Sequence, residues 1–211
     1  MRSVVFFMVL TLVVGAGMAT AAEITLNPTA DAPVFAHPSY INRNMGSQTY
    51  GYWGFYNYPF RTFCKYDCSS VSGTVTKVEL QFRLMQNNYA TGKMWACKVN
   101  ASWTETGVTW SNQPAHDDNA ATGRMLDIDW VSGNGPHKVA MTSVANTIVQ
   151  GWATTPATNY GLVLKKNPES GNVPRCYPYM KESGTGVQLI VTYTPSAVAP
   201  SSVGKVKALY R

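Results

Sequence analysis

An all-β chain, folded as a jelly-roll-like antiparallel β-sandwich with one short helix, is what the 211 residues predict. Three observations carry the prediction. Charged residues make up only 13% of the chain while tyrosine is abundant at 12 residues, a composition that suits pleated sheets better than solvent-exposed helices. About ten short runs rich in β-branched and aromatic residues are separated by clusters of Gly, Pro, Asn and Ser. One stretch alone follows a helical period: Val144, Ile148 and Trp152 recur at four-residue steps, with Thr142 placed to cap the start and Gly151 to end the run.

The chain begins with a basic Met1-Arg2-Ser3 and an apolar run from Val4 to Val14, and Ala19-Thr20-Ala21 then has the small-x-small pattern of a cleavage site. Residues 1–21 therefore read as a secretory signal peptide. A retained anchor needs roughly 20 continuous apolar residues, and Gly15-Ala16-Gly17 interrupts this one. No later stretch is long or apolar enough to span a bilayer, so the expected product is secreted, extracellular or at the cell surface, without a membrane span after signal removal.

Glu23 to Leu26 reads as a first strand, and Asp31-Ala32-Pro33-Val34-Phe35 as an extended segment leading into an Asn42–Ser47 loop. Between Tyr50 and Tyr58 the alternation puts Tyr50, Tyr52, Tyr56 and Tyr58 on one face of a strand and Trp53 and Phe55 on the other. The tyrosine face is expected to be a platform. Arg61 to Tyr66 and Val75 to Leu84 come next; in the second, Val78, Leu80, Phe82 and Leu84 alternate with Lys77, Glu79, Gln81 and Arg83, the signature of a half-buried antiparallel strand. Further strands are expected at 93–100, 125–131, 138–141, 160–165, 175–180 and 187–193. The sandwich thus spans 22–195. From Ser196 a linker leads to a strand-like basic tail ending at Arg211.

That tail explains most of the formal charge of +6. Of 17 basic residues, Arg2 lies in the leader and Lys205, Lys207 and Arg211 in the tail, leaving 13 against 11 acidic ones in the body. No basic stripe interleaved with aromatics remains, so nucleic acid is not an expected partner. Four cysteines, Cys64, Cys68, Cys97 and Cys176, permit two disulfides in an exported chain. Cys64 and Cys68, on one strand, would lie about 13 Å apart and cannot bridge each other. Each then pairs with Cys97 or Cys176, or stays a free buried thiol.

The run from Trp103 to Pro114 concentrates two tryptophans, Glu105, a Thr-Gly turn and Asn-Gln-Pro. Trp103, Trp110, Glu105 and Trp152 are expected to be structural, with Glu105 accepting backbone hydrogen bonds and Trp103 or Trp110 buried against the helix carrying Trp152. Together with Asp31-Ala32-Pro33-Val34, Asn44-Met45-Gly46-Ser47, the Arg61–Ser70 run, Asn159-Tyr160-Gly161-Leu162 and Leu189–Tyr193, this run resembles the DNRLRE domain over residues 24–194. The resemblance implies an exported jelly-roll module of bacterial and archaeal surface proteins, often repeated or appended to enzymes. Some of its relatives are classed as carbohydrate-binding modules for alginate, a polyuronate. The cysteines at 64 and 68, where the family usually carries leucines, and the missing name-giving motif are departures from the pattern.

Catalysis is not expected. Glu105 with Asp117 and Asp118 has the residue types for glycoside hydrolysis, but a carboxylate set in a tight tryptophan-flanked turn suits a corner. His37, His116 and His137 have no ligand spacing, and no nucleophile elbow is present. No cofactor is called for beyond Ca2+, for which Asp31, Asn42 and Asn44 are hard-oxygen candidates. Binding chemistry is better served. Tyr50, Tyr52, Tyr56 and Tyr58 offer rings for stacking on sugars, and Arg43, Arg61, Lys165 and Lys166 offer partners for the carboxylates of an acidic polysaccharide. The alternative is a structural subunit that binds copies of itself, packing by a sheet face or donating the tail strand to a neighbour in an extracellular filament or surface layer.

Overall fold

The computed structural model describes residues 20–87, 92–131, 133–170, 175–184 and 186–196. Among them the elements run β1 (Ala22–Leu26), β2 (Pro28–Phe35), β3 (Trp53–Tyr56), β4 (Tyr58–Tyr66), β5 (Gly73–Asn87), β6 (Lys93–Val99), β7 (His116–Asp117), β8 (Arg124–Asp129), β9 (Gly135–Ala140), α1 (Ser143–Thr154), β10 (Leu162–Asn167), β11 (Arg175–Pro178) and β12 (Gln188–Pro195). The strand pairs are antiparallel, and the protein is an all-β sandwich with one helix, as the alternation and turn chemistry predict. Residues 1–19 of the predicted signal peptide and the tail from 197 lie outside the described residues.

One layer places β5 between β12 and β9, with β1 on the outer side of β12. The other is built on β4, β10 and β6, with β2 and β8 at its sides. β11 and β3 pair with each other and link β5 to β4. Between the layers lies the main core, where Val78, Leu80, Phe82 and Leu84 of β5 meet Cys64 and Tyr66 of β4, Met94 and Ala96 of β6, Leu162 and Leu164 of β10, and Trp53. The helix seals one side of it with Ala145, Ile148, Val149 and Trp152.

A second core lies on the opposite face of the β4–β10–β6 layer, where Phe63, Cys97, Val99 and Val163 pack with Ala32, Val34, Trp103 and Val108. Consecutive residues of these strands therefore enter different cores. This is why Leu162-Val163-Leu164-Lys165-Lys166 is buried throughout: β10 has a strand on each side and packed side chains on each face. It also separates Trp103 from Trp152, which belong to different cores, so the predicted packing of Trp103 or Trp110 on the helix does not form.

Two other expectations are corrected, and the choice left open for the cysteines is decided. Residues 50–58 are not one strand: Tyr50 makes an isolated bridge to Tyr179, and the chain reverses at Asn57 (φ 60°), so Tyr56 faces Tyr58 across a hairpin. The helix runs through Gly151 to Thr154; Thr142 is its N-cap residue as expected, its carbonyl accepting the Ala145 N–H, but its hydroxyl donates to the Arg124 and Met125 carbonyls instead of capping the first turn. The four cysteines form no disulfide; all are free and buried. Cys64, Cys68 and Cys176 belong to the main core and Cys97 to the second, on the far side of the layer. Burial raises each thiol above its ordinary range, that of Cys68 to about 12, which makes them poor nucleophiles.

Candidate functional site

The loop between β2 and β3, the β3–β4 hairpin and β11 enclose a cleft of about 520 Å³. Its floor is apolar. Tyr52 packs edge-on against Phe35 (centroids 4.2 Å apart) and Tyr177 (5.1 Å) and stacks on Phe60. Burial, then the neighbouring Tyr50 hydroxyl, push the Tyr52 phenol upward, so it stays a neutral hydrogen-bonding group. Its walls carry the exposed rings: Tyr56 and Tyr40 are 54% and 36% accessible.

Two guanidiniums face this aromatic surface. Arg175 stands opposite Gly54 in the β11–β3 ladder, over the rings of Tyr56 (4.6 Å) and Tyr177 (5.4 Å). Arg43 lies over Tyr40 (5.8 Å). His37 and Tyr58 complete the wall, their rings 4.8 Å apart. Among the described residues no carboxylate lines the cleft. The site is a concave mixture of rings, neutral hydroxyls and positive charge. Such a surface can stack on a sugar ring and pair with acidic substituents.

The predicted ligand residues divide. Tyr52, Tyr56, Tyr58 and Arg43 do come together in the cleft, while Tyr50 lies behind it, 5.5 Å from Tyr52. The flat platform expected of a continuous strand becomes a cleft because of the reversal at Asn57. Arg61, Lys165 and Lys166 are elsewhere and already engaged. Arg61 makes a two-pronged contact with Glu169 (2.8 and 2.6 Å), donates to Gln113 and lies 4.8 Å above Trp110. Lys165 pairs with Asp118 at 2.7 Å, and Lys166 donates to the Pro168 and Ser170 carbonyls. Arg175 was not marked by the sequence. The arginine lies in a predicted strand, but only the pairing of β11 with β3 brings it to the tyrosines.

Asp31, Asn42 and Asn44, the predicted calcium ligands, face different partners. The Asn44 amide donates to the Glu105 and Val108 carbonyls, and Asn42 accepts from Ser111. Both are committed to holding the loop against the corner. Asp31 accepts the Lys181 backbone N–H at 2.8 Å. Its carboxyl is pushed up to about 7, chiefly by burial and further by Glu182 and Glu105 nearby.

The corner is held by hydrogen bonds to neighbouring segments. Glu105 accepts the Asp31 backbone N–H, Trp103 donates its indole N–H to the Tyr160 carbonyl, and Asn112 binds Thr109 and Gly107. Gly46 lies so close to the Glu105 carbonyl that any side chain at 46 would collide with it.

A second groove, about 470 Å³, runs beside α1, where the small hydroxyls of Thr122, Ser143 and Thr147 are scattered around the Lys98 ammonium and the Trp152 indole. It lacks the convergence of the tyrosine cleft. Among the described residues no helix is long and apolar enough to cross a membrane. The family model described as carbohydrate-binding module family 96 matches residues 22–132. No curated protein matches the chain.

Proposed function

The chain belongs to carbohydrate-binding module family 96, and from that premise we propose that it is a non-catalytic, exported module that holds one chain of an acidic extracellular polysaccharide in the tyrosine–arginine cleft. The observation that carries this reading is the pairing of Arg175 with the open ring of Tyr56, on a wall shared with Tyr40 and Arg43. Sugar faces are apolar enough to stack on phenol rings, and two guanidiniums 4.6 and 5.8 Å above such rings are placed to take carboxylates or sulfates at the edge of the stacked sugar. The concave shape favours a single chain over a crystalline surface.

The module is read as the whole span 22–195, of the DNRLRE type. Supporting this, the matched portion ends at 132 while β10, beyond it, lies between β4 and β6, and β12 pairs with β1 and β5. Export rests on the basic and apolar start of the sequence. The test is affinity electrophoresis or calorimetry on alginate, pectin and a neutral glucan. Retention on a polyuronate, weakened about tenfold or more by Tyr56→Ala and by Arg175→Ala, is the expected result. Equal retention of wild type and both variants, or none on any glycan, overturns the assignment.

A further inference from the structure

The geometry points to a divalent-cation site, suited to Ca2+, formed by the carboxylates of Asp31, Glu105 and Glu182. These three residues come from β2, the tryptophan corner and the 3₁₀ turn Lys181–Ser183, segments far apart in sequence. One carboxylate oxygen from each lies within 4.8 Å of the others. Oxygens that share a single Ca2+ at 2.3–2.6 Å can be at most about 5 Å apart, so the spacing is that of ligands around one ion.

A cluster of acids alone would be weak ground. The second observation is Asp31 itself, which has no accessible surface and whose Oδ1 has no hydrogen-bond partner among the described residues. A buried carboxylate oxygen left without donor or cation is costly, and native proteins pair such groups.

Lys181 is the local counter-charge, and it does not finish the task. Its ammonium reaches Glu182 (2.7 Å) and Glu105 (3.2 Å), while Asp31 receives only the Lys181 backbone N–H, on Oδ2. Three carboxylates against one ammonium leave an excess negative charge in a partly closed space. The Lys181 side chain is one-third exposed, so it can swing into water and yield its place to an ion. Lysine is thus a built-in competitor, which predicts a modest affinity, in the ~10⁻⁴–10⁻³ M range of extracellular modules.

The ion would tie the strand start, the corner and the 3₁₀ turn together beside the cleft. Met180 bonds the Thr49 carbonyl, Tyr179 bridges to Tyr50, and Gly46 rests on the Glu105 carbonyl, so this knot supports the loop that supplies Arg43 and Tyr52. The site stands on its own geometry, whatever glycan the cleft takes.

The test is calorimetric titration of the chelator-treated protein with CaCl2, with thermal unfolding followed in parallel. Wild type is expected to bind one ion and to gain a few degrees at saturating calcium, by mass action on the folded state. Glu182→Gln and Asp31→Asn should remove both effects. The discriminating variant is Lys181→Ala: deletion of the competing ammonium should tighten calcium binding, on the order of tenfold, although it removes two ion pairs. No calcium-dependent heat or stabilisation in wild type overturns the site, as does binding that Lys181→Ala weakens or that survives Glu182→Gln unchanged. Glycan retention measured with and without chelator is a separate readout, so a failed glycan test leaves the ion test intact.

Discussion

Arg61 is the sharpest place to separate binding from folding, because the sequence offers it as a glycan ligand and the structure makes it a brace. Arg61→Met keeps the length and apolar stem of the side chain and removes the guanidinium. The loss is a two-pronged contact with Glu169 at 2.8 and 2.6 Å, a hydrogen bond to Gln113 at 3.0 Å and a cation–π contact with Trp110 at 4.8 Å. Arg61 and Glu169 side chains are only 15% and 18% exposed, so the Glu169 carboxylate is left largely desolvated, with the Lys165 ammonium 3.8 Å away as its remaining partner. Charged hydrogen bonds of this kind are worth about 1.5–3 kcal/mol and a stacked guanidinium about 0.5–1 kcal/mol, so a loss of about 3 kcal/mol is expected. For a domain of this size that is a fall in Tm of about 6–12 °C. Urea unfolding measures the first quantity, and affinity electrophoresis on a polyuronate at a temperature where both proteins are folded measures binding. An Arg61→Met protein of unchanged stability whose retention falls tenfold would refute the reasoning.

The thiols and the half-buried His116 give two further tests. In the native protein without reductant all four cysteines should resist a thiol reagent, and in denaturant, still without reductant, all four should react; a pair that stays silent after unfolding means a disulfide. His116 is held below its ordinary 6.5, chiefly by burial and then by the Arg61 guanidinium, so the folded state resists a proton that the unfolded chain accepts. Its contribution is therefore complete above about pH 6.5 and is lost as the pH falls below that value. His116→Gln should flatten that part of the stability curve; urea midpoints at pH 5 and 7.5 that shift in parallel for both proteins would contradict it.

The sequence by itself determined the class of fold and much of its core. Alternation in residues 78–84 is enough to say which side chains enter the interior, because a strand has only two faces, and Val78, Leu80, Phe82 and Leu84 are all buried. The four-residue spacing of Val144, Ile148 and Trp152 located the helix, although a period cannot say where a helix stops, and Gly151 was tolerated inside it. Glu105 as an anchor and the shared location of Arg43, Tyr52, Tyr56 and Tyr58 were also legible, since short-range pattern and turn chemistry govern both.

Tertiary structure decided the charges. Whether Lys165 and Lys166 point to water depends on whether β10 is covered on both faces, which no local pattern encodes. Arg61 is claimed by Glu169, more than a hundred residues away, and Arg175 reaches the tyrosines only through the β11–β3 ladder. The meeting of Asp31, Glu105 and Glu182 has the same origin. Periodicity is a property of a segment, whereas the partner of a charge is set by whichever segments the sheet order brings beside it.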